Sequence, residues 1–127
     1  MKKTFLLWAG IFGLLAVVFG AMGAHALKEI LSETQLNSFE TGIRYQMYHA
    51  LLLIALSAIK ELQSKAILYY IVTGVFLFSF SIYLLNLRFV LGLEGLSTLG
   101  PITPIGGILL IAAWTMIIVK ALKIKTI

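Results

Sequence analysis

The chain has 127 residues, 61% of them hydrophobic and 12% charged, with a formal net charge of +5 and no cysteine. A soluble domain carries about 25% charged residues, so this chain lacks the polar surface to cover itself in water and reads as one integral membrane domain, residues 1–127. The composition excludes disulfides and thiolate chemistry, offers two histidines without an HExxH-type spacing for zinc, and places its basic residues at the ends of apolar runs rather than in a nucleic-acid-binding patch.

The first apolar run, Phe5 to Ala24, carries no charge and has the ~20 residues needed to cross a bilayer. Within it Ala9, Gly13, Ala16, Gly20 and Gly23 recur at spacings of four, three, four and three. Small residues at that period let a second backbone come close, which is how membrane helices pack. The stripe is therefore a packing face, and a candidate interface for a homo-oligomer. The Lys2-Lys3 start and the Ala24-His25-Ala26 triplet imitate a cleaved secretory signal. The apolar stretch exceeds the ~7–15 residues of such a signal, so the segment is expected to be retained as a membrane span.

Ala26 to Thr41 is the largest piece outside the runs. Ser32 and Gln35 have capping-box spacing, and Leu36, Phe39 and Ile43 follow at helical intervals. These predict an interfacial helix between the first two spans that feeds into the second. The second run, about 42–59, opens on Glu40, Arg44, Tyr45, Gln46 and His49. An ionisable group at membrane depth costs ~2.5–3.5 kcal/mol or more unless it faces a partner or a wet cavity. Glu40 and Arg44 are four apart in the favoured order for a helical ion pair; Asn86 is the other candidate partner of Arg44. Tyr45 and His49 share the same spacing, and Gln46 lies three before His49, so both are expected to orient the imidazole.

The third run, about 66–87, sets Tyr69, Thr73, Phe76, Ser79, Tyr83 and Asn86 along one stripe, with Tyr70, Gly74, Ser81 and Arg88 roughly opposite. Polarity on both sides predicts protein contact on both sides. Before the fourth run, about 104–121, Thr103-Pro104 reads as an N-cap and a proline at the first helical position, and Gly106-Gly107 permits close packing. Trp8, Tyr69, Tyr70 and Trp114 are expected in the cytoplasmic aromatic belt.

Four spans put both termini on one side. Seven lysines (2, 3, 60, 65, 120, 123 and 125) lie on the side of the termini and middle loop, against Lys28, Arg44 and Arg88 on the other. The positive-inside rule then makes both termini cytoplasmic. His25, Glu40, Arg44, Tyr45, Gln46, His49, Tyr83 and Asn86 are expected to converge in the outer half, either as a polar pocket or as hydrogen-bonded glue between helices.

The motifs GAMGAHAL (20–27), FETGIRYQMYHAL (39–51), LFSFSIYLLNL (77–87) and ITPIGG (102–107) resemble, in order and over nearly the whole chain, the domain of unknown function 423 family. This is uncharacterised protein family 0382, the transmembrane protein 256-like small membrane proteins. The resemblance implies a four-helix inner-membrane protein and implies no activity. Phe80 departs from the family's usual FSGS-like glycine, and residues 88–97 depart from its usual short third loop.

The expectation is an all-α bundle of four transmembrane helices that uses no metal or cofactor and is not an enzyme. Two functions fit. One is a membrane-embedded binding or transport-associated module with a polar pocket. The other is a non-catalytic accessory protein that binds lipid or a larger complex. A wet or ligand-sized cavity reaching His49 favours the first, a closed dry bundle the second.

Overall fold

The computed structural model describes residues 1–126, so Ile127, the last residue of the expected domain, lies outside the described residues. All regular structure in them is helical. Helix α1 spans Lys2–Ala24, α2 Glu33–Ala58, α3 Lys65–Val75, α4 Ser81–Leu87 and α5 Ile102–Leu122. A single π-helical turn, Phe76–Phe80, joins α3 to α4 as one rod, and 3₁₀ turns occupy Lys60–Leu62 and Glu94–Leu99. By length and composition α1, the α3–α4 rod and the α5 segment could each cross a membrane. Helix α2 has 26 residues, ~39 Å at 1.5 Å per residue and long enough to cross, but its polar first half sets it apart from the other three.

The expected interfacial helix is not a separate element. Residues 25–30 form turns, and α2 then runs unbroken from Glu33 to Ala58. The capping box fixes its start: Gln35 N–H donates to Ser32 Oγ at 3.2 Å, and Ser32 N–H donates to Gln35 Oε1 at 2.9 Å. Past Gln35 no glycine or proline interrupts the helix before Gly42, and Phe39 is buried against the bundle, so the amphipathic turns simply continue into the apolar ones. At the far end Gln63 Nε2 donates to the Ser57 carbonyl at 2.9 Å, covering one of the last carbonyls of α2.

Helices α1 and α2 pack antiparallel. Gly23 faces Phe39 and Gly20 faces Ile43 near one end, while Phe5, Ala9 and Phe12 join Ala50, Leu53 and Leu56 in the core toward the other. The small-residue stripe is thus used inside the protomer: Ala9, Ala16 and Gly23 are buried, Gly20 lies near Ile43, and only Gly13 has open space around it. The close approach expected at the stripe is therefore made, at least in part, by α2 of the same chain. A sequence announces close approach at such a stripe without saying which helix approaches.

On its other side the bundle closes through the α3–α4 rod and α5, whose tightest contact is at the π turn. A Cβ built on Gly106 would stand 2.3 Å from Phe78 N and 2.6 Å from Leu77 C. A bare α-carbon is the only fit there. Ser81 Oγ, which sits over the Leu77 and Phe78 carbonyls, also bonds Thr103 Oγ1. Thr103 is therefore not the N-cap. Helix α5 begins at Ile102 after Pro101, and Pro104 falls at its third position, where the missing N–H would have had no intrahelical partner in any case. The prediction of contact on both sides of the third run holds: Ser79 faces α2, and Gly74 and Ser81 face α5. Phe80, in place of the family's glycine, packs its ring on Phe19, Phe76 and Tyr83.

In this antiparallel arrangement the N-terminus of α1, the 60–65 connection and the C-terminus of α5 share one end, where Lys2, Lys3, Lys60, Lys65, Lys120, Lys123 and Lys125 lie. Glu61 of the connection lines one surface depression with Lys120, Lys123 and Lys125, and Trp8 lines another with Lys65 and Tyr69.

Candidate functional site

The polar residues expected to converge, as pocket or as glue, separate into four groups and the lone His25. Gln46, fully buried, forms the first. Its Nε2 donates to the Phe12 carbonyl of α1 at 2.8 Å, and its Oε1 accepts from Tyr83 Oη at 2.7 Å. One side chain of α2 thereby ties two neighbouring helices. The Tyr83 ring is held between Phe19 and Phe39, with centroids at 5.0 and 4.9 Å. Gly42 makes room for it, since a Cβ there would stand 2.7 Å from Tyr83 Cε1, and Ser79 Oγ donates to the Gly42 carbonyl at 2.7 Å. This layer fills the bundle interior and is a structural clamp.

The second group pins the α4 end of the rod: Asn86 Nδ2 donates to Ser38 Oγ at 3.1 Å and to the Ile82 carbonyl at 2.8 Å. The third is superficial. Arg44 approaches Glu40 at 3.8 Å with both side chains about half exposed, and donates to Thr41 Oγ1 at 3.1 Å. The expected Glu40 pairing is present, with the geometry of a weak surface pair. His25, at the end of α1, is exposed and stands apart from all of these.

His49 forms the fourth group, and its partner is Trp114, expected from the sequence only as an aromatic-belt residue. Its Nδ1 lies 2.6 Å from the Tyr45 carbonyl, and Trp114 Nε1 donates to its Nε2 at 3.2 Å. An indole N–H can only donate, so Nε2 must be the bare nitrogen and Nδ1 must carry the proton it gives to Tyr45. The ring is thus a neutral imidazole of defined tautomer, 4% exposed. His49 lies nine residues before the end of α2 and Trp114 eight before the end of α5, ~12–14 Å along each axis. That is about midway along each apolar run, 42–59 and 104–121. Trp114 and His49 therefore stand at matching heights in the bundle, apart from Asn86 and His25 near the far ends of α4 and α1. A tryptophan in the middle of an apolar run was the available signal, because an indole N–H buried among apolar side chains needs a partner.

Both ring nitrogens are capped by protein, yet the ring is not walled in. Tyr45, His49, Phe78, Gly107, Leu110, Ile111 and Trp114 line a groove of about 290 Å³ between α2, the π turn and α5. Tyr45, Ile111 and Trp114 are 41%, 67% and 45% exposed, so its mouth is on the outer wall of the bundle. Tyr45 and Phe78 rings meet at 4.7 Å along one flank, and Gly107 contributes no side chain to fill it. Among the described residues no three of His, Asp and Glu gather as a metal would require, and every buried side-chain nitrogen and oxygen has a partner.

No solved structure matches this chain. It is 38% identical over 128 aligned residues to the UPF0382 membrane protein YwdK of Bacillus subtilis, across 95% of this chain and 98% of that protein. It is 35% identical over 124 residues to a UPF0382 membrane protein of Staphylococcus epidermidis, across 95% and 97%. With the UPF0382 inner membrane protein YgdD of Escherichia coli K12 it shares 29% over 128 residues, across 98% and 93%. The model of the family described as protein of unknown function (DUF423) matches residues 19–107. A match over most of the chain, with relatives aligned nearly end to end, makes the protein a member of the DUF423 (UPF0382) family of membrane proteins.

Proposed function

We propose that the protein is a membrane-embedded binding module that takes a lipid-like amphiphile from the bilayer into the groove beside His49. The observation that carries this reading is one polar pair, His49–Trp114, set in the wall of an otherwise apolar, laterally open groove. A few placed polar groups in an apolar recess are the usual make-up of a small-molecule site, and about 290 Å³ lies at the lower edge of the ~300–1,000 Å³ such sites occupy. It has room for part of one chain rather than a whole phospholipid. In this reading α2 is a fourth span, both termini are cytoplasmic because seven lysines crowd that end, and lipid is the partner. The role is non-catalytic. Passage of a solute through a single protomer is disfavoured, because the Phe12–Gln46–Tyr83 clamp fills the interior.

The second reading, an accessory protein whose polar residues only hold helices together, is favoured by the full pairing of buried polar atoms. A variant with Trp8→Phe leaves Trp114 as the sole tryptophan. In lipid nanodiscs its fluorescence should be quenched saturably by a low mole fraction of a bromine-tagged single-chain amphiphile. Gly107→Leu, whose Cβ would meet the Phe78 ring at an ordinary 3.7 Å, should fill the groove and abolish saturation. Quenching that rises linearly and equally in both proteins would refute binding and leave the accessory reading.

A further inference from the structure

The His49–Trp114 pair specifies more than an apolar guest. In the closed groove the indole N–H donates and the imidazole Nε2 accepts. A guest that enters between them inherits both needs at once: it must accept from Trp114 and donate to His49. His49 cannot adapt by moving its proton, because Nδ1–H is committed to the Tyr45 carbonyl at 2.6 Å. Trp114 can adapt, since it is 45% exposed on the groove's outer side and its bond to His49, 3.2 Å, is at the long limit for N–H donors. Opening the pair to roughly 4.5–5 Å admits one atom with hydrogen bonds of ~2.8–2.9 Å to each side.

Among the uncharged oxygen groups of lipid-like amphiphiles, one answers both needs through a single atom. A carbonyl oxygen accepts from Trp114 and leaves His49 Nε2 without a donor, in a place where a buried unpaired acceptor is costly. A carboxylate or an ammonium brings a full charge to the centre of the hydrocarbon. A hydroxyl oxygen accepts from the indole while its own proton goes to the imidazole. Resting on the binding role proposed above, the geometry points to a ligand of the lipid-alcohol class, an uncharged single-chain or isoprenoid molecule whose hydroxyl bridges Trp114 Nε1 and His49 Nε2. Its chain lies along Tyr45, Phe78, Leu110 and Ile111. The occupied site is then a three-member relay, Trp114 to hydroxyl to His49 to the Tyr45 carbonyl.

The test compares dodecanol with the methyl ketone of matched chain length on the Trp8→Phe protein in nanodiscs. The Trp114 indole N–H resonance reports affinity, and the His49 Nε2 ¹⁵N resonance reports whether that nitrogen keeps a donor. The expected result is saturable binding of both, with the alcohol at least tenfold tighter. Nε2 keeps its hydrogen-bonded shift with the alcohol and moves to the free-acceptor position with the ketone. In His49→Phe the alcohol should lose its advantage while the ketone binds as before. The comparison on the protein with His49 intact decides the matter even if His49→Phe does not fold. Saturable binding with equal affinities and equal Nε2 shifts would overturn the hydroxyl assignment and leave the groove a general amphiphile site. No saturable binding of either compound would overturn the binding role itself.

Discussion

Adding one methyl group at Gly106 should damage this protein, while the same change one residue later should not. An alanine at 106 places its Cβ 2.3 Å from Phe78 N, 2.6 Å from Leu77 C and 2.9 Å from the Gly74 carbonyl oxygen. All three are backbone atoms of the α3–α4 rod, so no side chain can rotate away. Relief requires α5 to retreat by roughly an ångström, given that carbon atoms settle ~3.5–4.0 Å apart. Forced overpacking costs ~1–3 kcal/mol, and a rigid backbone obstacle belongs at the upper end. Retreat also loosens Ser81–Thr103, a class of bond worth ~0.6 kcal/mol in membrane helices. Against this, replacing glycine by alanine inside a helix returns up to ~1 kcal/mol. Gly106→Ala should therefore lose about 2 kcal/mol net. At Gly107 the nearest atoms are Phe78 ring carbons at 3.7 and 3.9 Å, so Gly107→Ala should be neutral or gain up to ~1 kcal/mol from propensity alone. Reversible unfolding in mixed micelles measures both. Equal stability of the two variants would mean that the π turn and α5 do not meet as described.

Gln46 and Tyr83 should be energetically coupled. A double-mutant cycle with Gln46→Leu and Tyr83→Phe is expected to give ~0.6–1.7 kcal/mol, and a value indistinguishable from zero would remove the clamp. Gly42→Ala should push the Tyr83 ring off Gln46 and cost ~1–3 kcal/mol, with most of that loss absent in a Tyr83→Leu background. Ser32→Ala removes half of the capping box and should cost ~1 kcal/mol, with faster amide exchange confined to the first turn of α2. Arg44→Leu should cost no more than ~0.5 kcal/mol, the value of an exposed i, i+4 pair; a loss of several kcal/mol would show that Arg44 carries a buried charge.

The elements were legible in the sequence because their signals are local. Apolar run length gave the long helices, Ser32 and Gln35 gave the start of the helical stretch that the structure continues through the second run, and the polar stripes on opposite sides of the third run gave its contacts on both sides. Glu40–Arg44 was readable for the same reason: both ends lie on one turn of one helix. The site was legible only in half. His49 stood out as an ionisable group in an apolar run, but its partner is 65 residues away and depends on the rotation of α5, which the Gly106 contact sets. That contact depends in turn on a π turn within Phe76–Phe80, which no spacing in an apolar run betrays. The small-residue stripe of α1 names no partner for a related reason. It measures how closely a backbone can approach, and the first helix able to do so is α2 of the same chain.

The central claim is that a neutral His49–Trp114 pair lines a lateral groove near the middle of the bilayer, and the depth of Trp114 tests it most directly. With Trp8→Phe, and lipids brominated at successive positions along the acyl chain, quenching of Trp114 should be strongest for bromines deep in the chain, ~12 Å inside the helix end. Quenching strongest near the headgroups would make Trp114 a belt residue, move His49 with it, and contradict the account.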